Sequence, residues 1–150
     1  MTETLPAFRQ PSAIERLFNS VFGLLIGLGV GFSYNYLLQV RGRKSGRLYS
    51  TPINLLDLDG KSYLVAPRGR TQWVRNAEAA GEVRLKKGRR LQSFPLRPLS
   101  GPEQLDVLKA YLDRFKGEVQ RYFIVPAGSP PEAFAAVAES YPAFELVHPR

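Results

Sequence analysis

The sequence predicts a mainly β fold with α-helices, an α+β protein built on a small, closed or partly closed barrel of about six antiparallel strands. Three observations carry that expectation. Apolar and aromatic runs are separated by tight reversals at Gly42 to Gly46, Asp59-Gly60 and Lys87-Gly88-Arg89, and consecutive hairpins pair antiparallel. Helical periodicity is confined to segments between those hairpins and towards the chain ends. A length of 150 residues, 44% hydrophobic and 23% charged, suits one core with helices packed on its outside.

In chain order, residues 1–11 carry Pro6 and Pro11 without periodicity and read as a flexible tail. Residues 12–150 then form one domain. Ser12 caps a helix over 12–28, with Ile14, Leu17, Phe18, Val21 and Phe22 on an apolar stripe. No charge occurs from Leu17 to Leu38, yet Gly23, Gly27, Gly29 and Gly31 with Asn19, Ser20, Ser33 and Asn35 interrupt that run. A helix packed on the core and a helix resting on a membrane surface are the readings left open, ahead of a membrane span.

Phe32–Arg41 is rich in aromatic and apolar residues and reads as a strand. Leu48–Leu58 reads as a second, with Pro52 marking an edge or a place where a ligand meets the backbone. Asp59-Gly60 turns the chain into Ser62–Ala66, and Pro67–Arg70 is a loop. Gln72–Ala80 is a short helix ended by Gly81. Glu82–Lys87 and Arg90–Leu99 form the next hairpin, and Pro102 opens a helix through about Phe115. Arg121–Val125 reads as a short extended piece, Glu132–Ser140 as a last helix and Ala143–Val147 as a closing strand.

The balance of charge narrows the function. Twenty-one Lys and Arg against 13 Asp and Glu leave the chain at +8, which favours an anionic partner: a nucleic acid, a phosphorylated cofactor or an anionic surface. With no cysteine and one histidine, His148, thiolate chemistry, a Ser-His-Asp triad and a multi-histidine metal centre are all disfavoured, and no metal is expected. The chemistry is therefore expected from a cofactor. The cations concentrate at Val40 to Pro52, where Arg41, Arg43, Lys44 and Arg47 crowd a turn with Ser45, Ser50 and Thr51. Backbone N–H groups in such a turn form an anion-binding nest, and guanidinium groups add bidentate contacts. Helix starts near Trp73 and Pro102 are further places that can face anions. The bland alternative is a solvated hairpin tip.

Taken together, Gly42-Arg43-Lys44-Ser45-Gly46-Arg47, Ser50-Thr51-Pro52, Asp59-Gly60, Tyr63-Leu64-Val65-Ala66, Gln72-Trp73-Val74-Arg75-Asn76 and the late Tyr141-Pro142-Ala143-Phe144-Glu145-Leu146 resemble the deazaflavin-dependent nitroreductase and quinone reductase family, in the same order over roughly residues 25–147. The resemblance implies a split β-barrel of the FMN-binding type. It also implies coenzyme F420, a deazaflavin with a phosphate and an oligoglutamate tail, as hydride donor to a quinone, nitroaromatic or enone. Carried over, Arg43, Lys44, Ser45 and Arg47 match the turn that holds phosphate and tail, and Thr51 and Pro52 match the strand bordering the ring. Ala66, Pro67 and Arg68 match the loop beside the ring, and Trp73, Arg75 and Asn76 the helix start that closes over it.

One departure lies on the substrate side, where Arg68-Gly69-Arg70-Thr71-Gln72 is shorter and more basic than the family's glycine-rich or histidine–proline segment. Tyr49, Tyr111 and Tyr122 are the candidate catalytic residues, because a phenol can hydrogen-bond a developing oxyanion while its ring packs on the acceptor. Two alternatives stay open: an FMN- or haem-binding protein on the same barrel, with FMN in place of F420, and, less favoured, a basic barrel for nucleic acid. The partners expected are a small-molecule acceptor and no nucleic acid, in a monomer or homodimer. The location expected is cytoplasmic, with membrane contact through residues 12–28 as the open question.

Overall fold

The computed structural model describes residues 33–148. The expected tail over 1–11 and helix over 12–28 lie outside the described residues. Within them the chain forms β1 (Asn35–Arg41), β2 (Leu48–Asn54), β3 (Leu56–Leu58), β4 (Lys61–Val65), α1 (Gln72–Ala80), β5 (Glu82–Lys87), β6 (Arg90–Pro98), α2 (Gly101–Val119) and β7 (Ala143–Leu146). The strands make a seven-stranded antiparallel sheet in the order β2-β1-β5-β6-β7-β4-β3.

That order closes the sheet on itself. β2 and β3 are its two edges, yet in the chain only Leu55 separates them. The sheet must curl until its edges meet at that residue, which is the geometry of a split barrel. Leu55 is 7% exposed and donates its N–H to the Tyr34 carbonyl at 2.8 Å. The expected single strand over Leu48–Leu58 is therefore two strands, and the count rises from about six to seven. A second bend lies in β6, which pairs with β5 up to Pro95 and with β7 from Leu96 onwards. Proline cannot donate to a ladder, so the point where β6 changes partner is a place that tolerates it.

The short turns follow local chemistry. Asp59 and Gly60 both take positive φ (53° and 80°), as a two-residue type I′ hairpin demands. Gly88, at φ 61°, opens the β5–β6 turn. Helix α1 ends where the sequence places its stop, with Gly81 at φ 76° donating its N–H to Ala77 O at 2.8 Å.

Helix α2 presents Gln104, Val107, Leu108, Tyr111, Leu112, Phe115 and Val119 as one buried stripe. Its expected end near Phe115 is only an interruption. The Phe115 backbone leaves the helical region (φ −110°, ψ 23°), and the helix resumes to Val119. The expected extended piece over Arg121–Val125 is instead a 3-10 turn at Gln120–Tyr122 and a loop. The Gln120 side chain supplies the reason: its amide donates to Val125 O at 2.9 Å and accepts from Ala127 N at 2.8 Å, taking the groups that a strand would offer a neighbour. The expected helix over Glu132–Ser140 is present, wound as 3-10 over Pro131–Ser140. Buried Gln104 donates from its amide to Ala138 O and Tyr141 O (2.9 and 3.1 Å), fixing the end of that segment from outside.

Two main apolar clusters result. One lies between α2, β3, β4 and the late 3-10 segment, where Phe123 and Tyr141 stack with centroids 4.3 Å apart. The other fills the barrel, with Leu38, Val40, Leu64, Val83, Leu85, Phe94 and Leu146 packed on Ala77 of α1.

Candidate active site

The basic turn between β1 and β2 is closed by backbone bonds from Gly42 N to Arg47 O (2.7 Å) and from Gly46 N to Gly42 O (3.0 Å). Gly46 takes φ 74°, as expected of it. Gly42 does not take positive φ, and its reason is space: a Cβ there would sit 2.6 Å from Cε2 of Tyr49 and 2.9 Å from Ser45 Oγ. The Tyr49 ring thus lies against the turn, its hydroxyl 3.3 Å from Ser45 Oγ. That hydrogen bond, with the positive charge of Arg47 adding to it, holds the Tyr49 phenol below its ordinary pKa. Ser45 Oγ also accepts from Arg47 N at 3.2 Å, and Arg41 Nη1 donates to Gly46 O at 3.0 Å.

Helix α1 fixes this turn from the side. Asn76, 5% exposed, accepts at Oδ1 from both Arg43 N (3.1 Å) and Arg43 Nη1 (2.7 Å). Gln72 Oε1 accepts from the same Nη1 at 3.0 Å. The position of Arg43 is therefore set by residues 29 and 33 places further along the chain. Just before α1, Thr71 makes no side-chain cap, and its buried Oγ1 has no hydrogen-bond partner among the described residues. Thr71 itself lines the cavity, with that hydroxyl buried. The α2 start, where Arg97 pairs with Glu103 and Glu145, lies outside it.

Between the turn, β2, the loop before α1 and the C-terminal end of α2 lies a cavity of about 750 Å³. It brings together Arg43, Lys44, Ser45, Tyr49, Thr51, Pro52, Pro67, Arg68, Trp73, Asn76, Tyr111 and Tyr122, all singled out from the sequence. Three other candidates lie outside its lining. Arg47 is on the outer side of the turn, and Ala66 is 1% exposed in a cluster with Val74 and Phe144. Arg75 Nε donates to Arg70 O at 3.1 Å and braces the loop.

The far end of the cavity is aromatic. Tyr111 is buried, which pushes its phenol pKa well up, and the neighbouring Glu118 charge adds to the rise. Tyr122 sits under the guanidinium groups of Arg121 and Arg68, 4.7 and 5.8 Å from its ring centroid. Its carbonyl accepts from Tyr141 Oη at 2.9 Å, which pins the 3-10 turn to the core.

Sequence reasoning missed Glu118 and its partners. Glu118 lines the cavity, accepting from Tyr34 Oη at 2.9 Å and from Asn54 Nδ2 at 3.2 Å. Asn54 Oδ1 accepts in turn from Asn35 Nδ2 at 2.8 Å. A signal existed for the two asparagines. Extending the hairpin register from Arg41 and Leu48 sets Asn35 opposite Asn54, so two amides at mirrored positions about the turn mark a cross-strand pair. Glu118 had none, lying beyond the expected end of α2. Among the described residues no group of His, Cys, Asp and Glu could hold a metal ion.

The sequence model of the F420H(2)-dependent quinone reductase family matches residues 15–121. The chain belongs to this family. Of the cavity lining, only Tyr122 lies past the matched stretch. Among solved structures, one described as an F420-H2 dependent reductase, FDR-A, superposes with a TM-score of 0.52 at 21% identity, covering 79% of this chain and 99% of its own. Another, described as a domain-swapped dimer, gives 0.55 at 21% identity over 89% and 92% of the two chains. A heme binding protein from Mycobacterium smegmatis gives 0.52 at 13% identity over 92% of this chain and 52% of its own. At these identities the likeness is one of fold, the split barrel. A search of curated proteins finds no match. As a member of the F420H2-dependent quinone reductases, the chain is an oxidoreductase.

Proposed function

We propose that this chain uses reduced F420 to reduce an electron-poor acceptor (a quinone, a nitroaromatic or an enone) within the 750 Å³ cavity. The observation that carries the proposal is convergence: the basic turn, the β2 edge and the loop leading into α1 border one cavity although the sequence separates them. The residues present suit such a cofactor. Arg43 is already oriented by Asn76 and Gln72, and Lys44 and Ser45 stand beside it, a set that fits phosphate and carboxylates. Pro52, Val65 and Trp73 supply apolar surface suited to a flat ring.

When bound, the reduced deazaflavin supplies the hydride. The chain's own part is then binding, orientation and proton handling. Arg43, Lys44 and Ser45 take the anionic tail, with Arg47 on the outer side of the turn. Thr51 and Pro52 border the ring, and Pro67 and Arg68 flank it while Ala66 seats their loop on the core. Trp73 and Asn76 close the α1 side, and Arg75 steadies the loop through Arg70. Tyr49, Tyr111 and Tyr122, all in the lining, are the candidate phenols for hydrogen-bonding an oxyanion on the acceptor. Residues 12–150 act as one split-barrel domain, with residues 12–28 as the segment for contact with a membrane surface. Among the described residues no helix is long and apolar enough to cross one. The fold shared with a chain described as a domain-swapped dimer supports a homodimer.

The test is fluorescence titration of F420, followed by its oxidation against menadione with NADPH and reduced FMN as control donors. Replacing both Lys44 and Arg47 by Glu turns attraction into repulsion and is expected to weaken F420 binding by about tenfold or more, most of it through Lys44 in the lining. Unchanged affinity in the double variant would refute the placement of the tail. Turnover with reduced FMN alone would transfer the site to FMN.

A further inference from the structure

Among the described residues Glu118 is the one acidic side chain in the cavity lining. The chain carries +8, yet no ion pair joins this carboxylate to a Lys or Arg among the described residues. Its two oxygens are held instead by neutral donors, the Tyr34 hydroxyl and the Asn54 amide. Those donors are themselves anchored. Asn54 is tied to Asn35, which is 1% exposed, and the Tyr34 ring lies 4.9 Å from that of Phe115. A carboxylate oxygen has two lone pairs, so each oxygen of Glu118 retains room for a further donor. The resumption of α2 after Phe115 carries Glu118 to the cavity wall, and the negative end of that helix adds to its field.

The carboxylate also lies at a defined place. Asn54 ends β2 and Leu48 begins it, so the Glu118 end of the cavity is about 20 Å along the strand from the basic turn. Arg68 and Arg121 also line this end, with their guanidinium groups over the Tyr122 ring.

We propose that Glu118 determines which acceptors are taken, by accepting a hydrogen bond from an N–H carried by the acceptor and by offsetting the pull of Arg68 and Arg121 on acceptors that carry their own negative charge. This rests on the reading that the cavity holds a hydride acceptor. A site built around a fixed acceptor of hydrogen bonds discriminates more sharply than one built on apolar fit, because the unmatched group is left without its partner.

Three probes of similar shape separate the possibilities: aminonaphthoquinone, menadione and naphthoquinone sulfonate, each titrated by calorimetry into the protein without cofactor. The wild type binds the amine more tightly than menadione. In Glu118→Gln, which keeps the shape and loses the charge, amine affinity falls about tenfold and sulfonate affinity rises about tenfold, with menadione within about twofold. Equal shifts for all three probes, no shift, or no binding of the amine by the wild type would each overturn the proposal. Glu118→Ala, expected to lose the amine preference as well, checks that the glutamine amide has not recreated it. F420 titration of the same proteins distinguishes the two readings. Normal F420 binding with unmoved probe selectivity removes the role of Glu118 alone, whereas no F420 binding by the wild type removes the reading of the cavity.

Discussion

At the scale of the residue, the site depends on a few polar side chains that fix other side chains. Asn76 is the central one: a single oxygen accepts both the backbone and the guanidinium of Arg43. Asn76→Ala leaves the Arg43 amide without that partner, an expected loss of about 1–3 kcal/mol in urea unfolding. F420 affinity is expected to fall with it, because Arg43 loses its orientation. Asn76→Asp keeps the acceptor and is expected to keep most of the affinity. Alanine matching the wild type in both measurements would show that the turn holds its shape unaided. Gly42 gives the complementary case, a position where a side chain would have to push the Tyr49 ring off the turn.

At the scale of the element, α1 connects the cavity to the barrel. Its first residues face the site, and its last turn ends at Gly81, whose carbonyl accepts Leu96 N at 3.0 Å beside the bend of β6. Nothing lies within 4 Å of a Cβ at Gly81, so Gly81→Ala meets only the strain of φ 76°. The expected cost is about 1–2 kcal/mol, read as a lower Tm with F420 affinity unchanged. A loss of affinity at unchanged Tm would instead mean that this stop sets the angle of α1 against the turn. Helix α2 works differently: its buried stripe anchors it, and its last turn beyond Phe115 delivers Glu118.

At the scale of the whole molecule, the core is rich in tyrosine, and that sets how stability responds to pH. Burial comes first in raising Tyr63, Tyr111 and Tyr141 above the ordinary phenol value, and nearby carboxylates add to it at Tyr63 and Tyr111. The unfolded chain releases these protons near pH 10 while the folded chain still holds them. The stabilisation is therefore complete below about pH 10 and is lost as pH climbs towards the folded values. Urea midpoints are expected to hold up to about pH 9.5 and to drop from about pH 10 upwards, and to drop less in Tyr63→Phe. Equal drops in the variant and the wild type would remove Tyr63 from the account.

What the sequence determined by itself is what neighbouring residues decide. Asp59-Gly60 and Gly88 take the positive φ their turns require, Gly81 ends α1, and the i, i+3, i+4 stripe of α2 is readable directly. The cations at Gly42 to Gly46 marked one end of the site in the same way. Tertiary structure decided the rest. The break at Leu55 has no local signal, because it exists only where the two edges of the curled sheet meet. Gln120 overrides local preference by bonding the backbone around a segment whose strand the sequence favoured, and Gln104 fixes the end of the 3-10 segment from outside. Glu118 reaches the cavity only because the barrel sets the end of β2 against the last turn of α2, 64 residues further along the chain. A turn is selected by the few torsions within it, whereas a cavity is formed by register and packing between segments that share no local code.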